Sequence, residues 1–89
     1  MWIRTQRRQK IVNSEHIIDI FVDKTGTKVY ADTNEDADFI LLGEYNNRDD
    51  SLIVLEHLFH YMCDKKAAGI EMPFAGSPNQ WATRYSSSQ

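Results

Sequence analysis

The sequence predicts an α+β domain, an antiparallel β-meander of roughly four to six strands with one long helix packed on one face. Three observations lead there. Several short segments alternate apolar and polar residues with the period of two that a half-buried strand requires. No helical segment separates them, so the crossovers of a parallel sheet are not expected. Residues 41–69 then switch to helical periodicity and carry their own start and stop signals.

The opening residues place Met1, Ile3 and Thr5 on one side and Trp2 and Arg4 on the other, as a strand does. Residues 6–9 are polar and basic and turn the chain into a short return strand at Ile11 and Val12. After the turn at Asn13, Ser14 and Glu15, residues 16–22 alternate again and are rich in β-branched side chains, which favours strand over helix. Residues 23–26, Asp-Lys-Thr-Gly, form a hairpin turn, because Gly26 readily takes the positive φ that such a turn demands. Residues 27–32 return. Residues 33–36 turn once more, and residues 37–45 form a strand apolar on both faces, hence central or covered.

The helix starts near Arg48. Asn46 and Asn47 supply capping oxygens, and Asp49 and Asp50 place negative charge at the positive end of the helix dipole. Lys65 and Lys66 complement the other end, and Gly69 is read as the residue that stops the helix after about twenty residues. At about 100° per residue, Leu52, Leu55, Leu58, Phe59, Met62 and Cys63 share an apolar arc that is expected to face the sheet. A last short strand over residues 70–74 is confined to an edge by Pro73. Residues 1–75 thus form a single domain, and residues 76–89, with their serine run, are expected to be a mobile tail.

Eighty-nine residues suffice for one small core. No apolar run approaches the roughly twenty residues of a membrane span, so a soluble chain and no membrane partner are expected. The opening lacks a charged-then-apolar leader pattern, and the single cysteine, Cys63, has no partner for a disulfide, which together predict a cytoplasmic protein. Net charge is −3, yet Arg4, Arg7, Arg8 and Lys10 crowd the first ten residues without an acid. A charge-reading ligand would meet two different ends.

The chemistry-bearing residues point in several directions. His57, His60 and Asp64 fall within roughly 60° on the polar helix face and are candidate ligands for a divalent ion, but no fourth ligand accompanies them, and no cofactor is expected. The basic hairpin, with Trp2 interleaved, has the residue types that contact phosphate and stack on a base. The acids Asp32, Glu35, Asp36 and Asp38 surround one turn and offer the alternative of phosphate mimicry. Ser14, Ser51 and Cys63 stand in no His-acid arrangement, and no glycine-rich phosphate loop is present, so an enzyme is not expected. Trp2, Phe21, Tyr30, Ile40, Tyr45, Ile53 and Tyr61 exceed what one helix on one sheet face buries. Such an aromatic surplus marks an interface.

The ordered combination Met1-Trp2-Ile3-Arg4-Thr5-Gln6, Leu41-Leu42-Gly43-Glu44-Tyr45, Val54-Leu55 and Met72-Pro73 resembles a family of short uncharacterised proteins of Gram-positive bacteria and their phages. The likeness spans residues 1–73 and implies a cytoplasmic or phage-borne setting, with no catalytic residues. The expected meander and helix also resemble half of a pleckstrin-type barrel. The expectation is therefore a small non-enzymatic protein-interaction or self-associating protein, contacting an unknown protein partner or a copy of itself. Trp2, Arg4, Arg7, Arg8, Tyr30 and Tyr45 are the expected contact residues. The alternative is a nucleic-acid-linked role, by binding through the basic hairpin or by inhibiting a host nucleic-acid-processing system through acidic mimicry.

Overall fold

The computed structural model describes residues 1–33 and 38–85. Among these, seven strands and one α-helix follow in the order β1 (Trp2–Arg4), β2 (Ile11–Asn13), a 3-10 turn (Ser14–His16), β3 (Ile17–Val22), β4 (Lys28–Thr33), β5 (Ile40–Glu44), α1 (Arg48–Cys63), β6 (Ala67–Glu71) and β7 (Ala82–Tyr85). The α+β class is as expected. The strands form two sheets: four strands in the order β2-β1-β6-β7, and three in the order β3-β4-β5.

Local signals set the antiparallel hairpins. In the first, Ile3 lies opposite Val12 and both side chains are buried. In the second, the Asp23 carboxylate accepts from the Gly26 and Lys28 N–H groups, and Gly26 has φ 81°, so β4 returns along β3. β4 is the middle strand of its sheet and alternates strictly, burying Val29, Ala31 and Thr33. A bulge between Ile17 and Asp19 leaves Ile18 without a partner on β4.

The four-stranded sheet departs from a meander, because β6 runs parallel to β1 and lies between β1 and β7. The residues expected to continue the helix supply this strand. Asp64 takes φ −84° and ψ 110°, and its carboxylate accepts from the Lys66 N–H at 2.9 Å, so α1 stops at Cys63. Ala67 and Ile70 then become buried, with Ile70 opposite Ile3. Gly69 is a strand residue: a Cβ there would lie 3.3 Å from the Trp2 carbonyl oxygen. β6 is thus internal, and Pro73 lies beyond its end. The expected tail also contributes, since Ala82–Tyr85 pairs antiparallel with β6.

α1 begins as its sequence predicts, with the Asn47 side chain accepting from the Asp50 N–H at 2.8 Å. It packs against β3 and β4 of one sheet and β6 of the other. Its buried residues are Ser51, Val54 and Leu58, so the helix is rotated from the expected apolar arc. Leu52, Phe59, Met62 and Cys63 remain exposed. The core gathers Ile3, Val12, Val29, Leu42, Tyr45, Val54, Leu58, Ile70 and Met72 from both sheets and the helix.

Candidate interaction surfaces

The inward placement of Ile3 turns its neighbours Trp2 and Arg4 to the outer face of the four-stranded sheet. Register then sets their company. Trp2 stands between Asn13 and Gly69, and Arg4 between Ile11 and Glu71, with Arg84 next to Gly69. Trp2 is 55% exposed and Ile11 54%. Arg4 Nη1 lies 3.3 Å from a Glu71 carboxylate oxygen. These side chains border a shallow cleft of about 260 Å3. The result is an aromatic and an aliphatic side chain set around an ion pair on a hydrogen-bonded sheet.

Arg8 is the second cation held by Glu71, at 3.7 Å. Its Nη1 also donates to the carbonyls of Met72 at 2.8 Å and Thr5 at 3.3 Å, and its guanidinium lies 4.5 Å from the centre of the Phe74 ring. The backbone of Arg8 takes φ 61°, which turns the β1–β2 loop so that the side chain reaches these partners. Arg8 was expected at a contact surface; it is half-buried and fastens the loop to the end of β6. Arg7 is exposed on that loop and borders, with Phe39, a cleft of about 470 Å3 along β5.

Tyr45, expected to contact a partner, is instead only 3% exposed, and its hydroxyl donates to the Pro73 carbonyl at 3.0 Å. Burial raises its pKa above the ordinary value of 10.0, against the opposing pull of the Arg8 charge and a hydrogen bond with Gln6. Its aromatic ring fills the junction of the sheets, a site that only long-range packing defines. Tyr30 lies on the outer face of the other sheet, half-buried, with its ring centre 5.9 Å from Phe21 and 6.3 Å from Phe39. Trp2 and Arg4 are therefore brought together, Arg8 is joined to them through Glu71, and Tyr30 stands on a separate surface.

The three helix residues considered as metal ligands do not converge. His57 Nε2 is 3.1 Å from the Asn79 side-chain oxygen and its ring neighbours Trp81. His60 Nε2 lies 3.2 Å from Glu56, and Asp64 is spent on capping the Lys66 N–H. Asp64 left the helical face because the helix ends before it. Among the described residues no group of three His, Cys, Asp or Glu side chains is gathered to hold a metal ion. Of the acidic turn, Asp32 is half-buried and Asp38 exposed, while Glu35 and Asp36 lie outside the described residues.

One surface was missed by sequence reasoning. The flank of α1 with half-buried Leu55 and exposed Phe59 and Met62 adjoins Ile18 and Ile20 of β3 and forms with them a groove of about 410 Å3, which Asp19 and Glu56 also border. The signal was present in the spacing of three and four residues, but it was assigned to the core.

No family model, curated protein or solved structure matches this chain. Among the described residues no helix is long and apolar enough to cross a membrane.

Proposed function

We propose that this chain is a small non-enzymatic protein-interaction protein, bacterial or phage-borne and cytoplasmic, that engages a protein partner through the outer face of the four-stranded sheet. The supporting observation is the arrangement of Trp2 and Ile11, both more than half exposed, beside the Arg4–Glu71 pair. Tryptophan and arginine are the residue types that most often dominate binding energy at protein interfaces. The strands hold these side chains in place before a partner arrives, so less conformational entropy is lost on binding. The resemblance of residues 1–73 to proteins of Gram-positive bacteria and their phages supports the proposed setting.

The nucleic-acid alternative has less support. Arg4 and Arg8 share Glu71, and Arg8 is further committed to Met72 and Phe74, which removes positive charge from the surface that phosphate would meet.

The test is affinity capture from a Gram-positive lysate with the tagged chain and its Trp2→Ala variant. The proposal expects a defined protein that co-purifies with the wild type and is lost with the variant. An identical protein set from both would contradict it.

A further inference from the structure

Resting on the reading of the Trp2 face given above, we propose that its partner is an acidic segment of protein. A carboxylate of that segment seats beside Arg84 while a neighbouring apolar side chain packs on Trp2.

The sheet register builds the seat. Trp2 of β1 stands opposite Gly69 of β6, and Gly69 opposite Arg84 of β7. All three border the same cleft of about 260 Å3. With strands about 4.8 Å apart, the backbones at Trp2 and Arg84 are separated by about 10 Å, and glycine places no side chain between them. A Cβ at Gly69 would lie 3.8 Å from the Trp2 Cβ, so a larger residue would fill this gap. In the neighbouring row Glu71 stands opposite Ala82, whose methyl group leaves the β7 side of the cleft low. The result is a slot one side chain wide, with tryptophan on one side and arginine on the other.

Charge selects the occupant. Arg4, Glu71 and Arg84 are the charged residues that border the cleft, and Arg8 reaches Glu71 from the β1–β2 loop. Glu71 Oε2 lies 3.3 Å from Arg4 and Oε1 lies 3.7 Å from Arg8, so both oxygens of this carboxylate are engaged. Arg84 is exposed, and among the described residues no carboxylate pairs with it. Three arginines therefore share one glutamate, a local positive excess in a chain whose net charge is −3. A carboxylate brought by the partner offsets that excess and offers Arg84 two oxygens in the geometry that a guanidinium fork matches.

Other occupants fit less well. A purely apolar segment would cover Arg84 and leave its charge without a counterpart, which desolvation penalises. A basic segment would add to the excess. A nucleic-acid strand carries a phosphate at every step, and those crossing from Arg84 to Arg4 would pass Glu71, because β6 lies between β1 and β7. One carboxylate beside Arg84 avoids that encounter.

The test pans a display library of random linear peptides on the tagged chain and measures the enriched peptides, made synthetically, by titration calorimetry, with the fold of each variant checked by circular dichroism. Enriched peptides are expected to share an aspartate or glutamate beside an apolar residue and to lose binding to Trp2→Ala. Replacing that acid by its amide, or Arg84→Gln in the chain, is each expected to weaken binding by about tenfold, and the two together by little more. A peptide carrying lysine in place of the acid is expected to recover affinity on Arg84→Glu. Peptides that need Trp2 but share no acid, or that bind Arg84→Gln as tightly as wild type, would overturn the acidic partner and leave the Trp2 face standing. Peptides that bind Trp2→Ala undiminished would overturn both. A library that yields no binder would overturn the acidic partner. So would a single-stranded oligonucleotide that binds more tightly than the peptides and is lost with Arg84→Gln, which would assign the face to nucleic acid.

Discussion

The side chain of Gln6 pairs with both backbone groups of Glu44: its Nε2 donates to the Glu44 carbonyl and its Oε1 accepts from the Glu44 N–H, each at 2.9 Å. The Gln6 backbone N–H donates to the Leu42 carbonyl at 2.8 Å, and Nε2 also lies 3.1 Å from the Pro73 carbonyl. One residue of the β1–β2 loop thereby covers part of the open edge of β5 and joins the two sheets. Gln6→Ala is expected to lower stability by about 1–3 kcal/mol, measured by urea denaturation. Gln6→Glu is expected to fall in the same direction, because a carboxylate cannot donate to the Glu44 and Pro73 carbonyls.

Tyr45 makes the second connection between sheets through its bond to Pro73. Tyr45→Phe leaves the Pro73 carbonyl short of a donor and is expected to cost about 1–2 kcal/mol at neutral pH. Alkali supplies a further test. The folded protein holds the hydroxyl proton above the ordinary pKa of 10.0, whereas the unfolded chain releases it near that value. The unfolded state then binds fewer protons, so this contribution is intact below pH 10.0 and is lost as pH rises towards the folded pKa. Denaturation midpoints of wild type and Tyr45→Phe are therefore expected to converge above pH 10.0.

Arg8 combines a costly backbone with a useful side chain. Its φ of 61° is unfavourable for a residue bearing a Cβ, while its guanidinium is tied to Met72, Thr5, Glu71 and Phe74. Arg8→Ala and Arg8→Gly both remove the guanidinium, but only glycine relieves the backbone. Both variants are expected to be less stable than wild type, with Arg8→Gly the more stable of the two by about 1 kcal/mol in thermal or urea unfolding.

Gly43 is required by close approach. A Cβ there would stand 2.7 Å from the Tyr45 hydroxyl oxygen and 3.0 Å from its ring, in a place where the ring is buried and tethered. Gly43→Ala is expected to destabilise the fold by about 1–3 kcal/mol. In a Tyr45→Leu background the same substitution is expected to cost less, which a double-mutant cycle measures.

The parts of the fold that were legible in the sequence are those with local causes. The turn from Asp23 to Gly26 is built from side chains within the turn, and Asn47 caps the helix three residues ahead of Asp50. The end of α1 was misread because Lys65, Lys66 and Gly69 are as compatible with a helix terminus as with a turn into a strand. What decides is Ile70 pairing with Ile3, a contact between distant parts of the chain. The helix face was misread for a related reason. Apolar residues occupy more than one side of α1, and only the placement of both sheets selects Val54 and Leu58 for burial and leaves Phe59 outside. At the candidate site, Trp2 and Arg4 were legible by alternation, while the partner of Arg4 and Arg8, Glu71, became visible only once β6 lay beside β1.

The binding role of Trp2 is tested by the affinity of the captured partner for the wild type and for Trp2→Ala, measured by titration calorimetry. Trp2 is more than half exposed, so the substitution is expected to leave the denaturation midpoint nearly unchanged. The dissociation constant is expected to be at least about thirtyfold weaker for the variant, as truncation of a dominant aromatic contact of about 2 kcal/mol implies. Equal affinities in two equally stable proteins would contradict it.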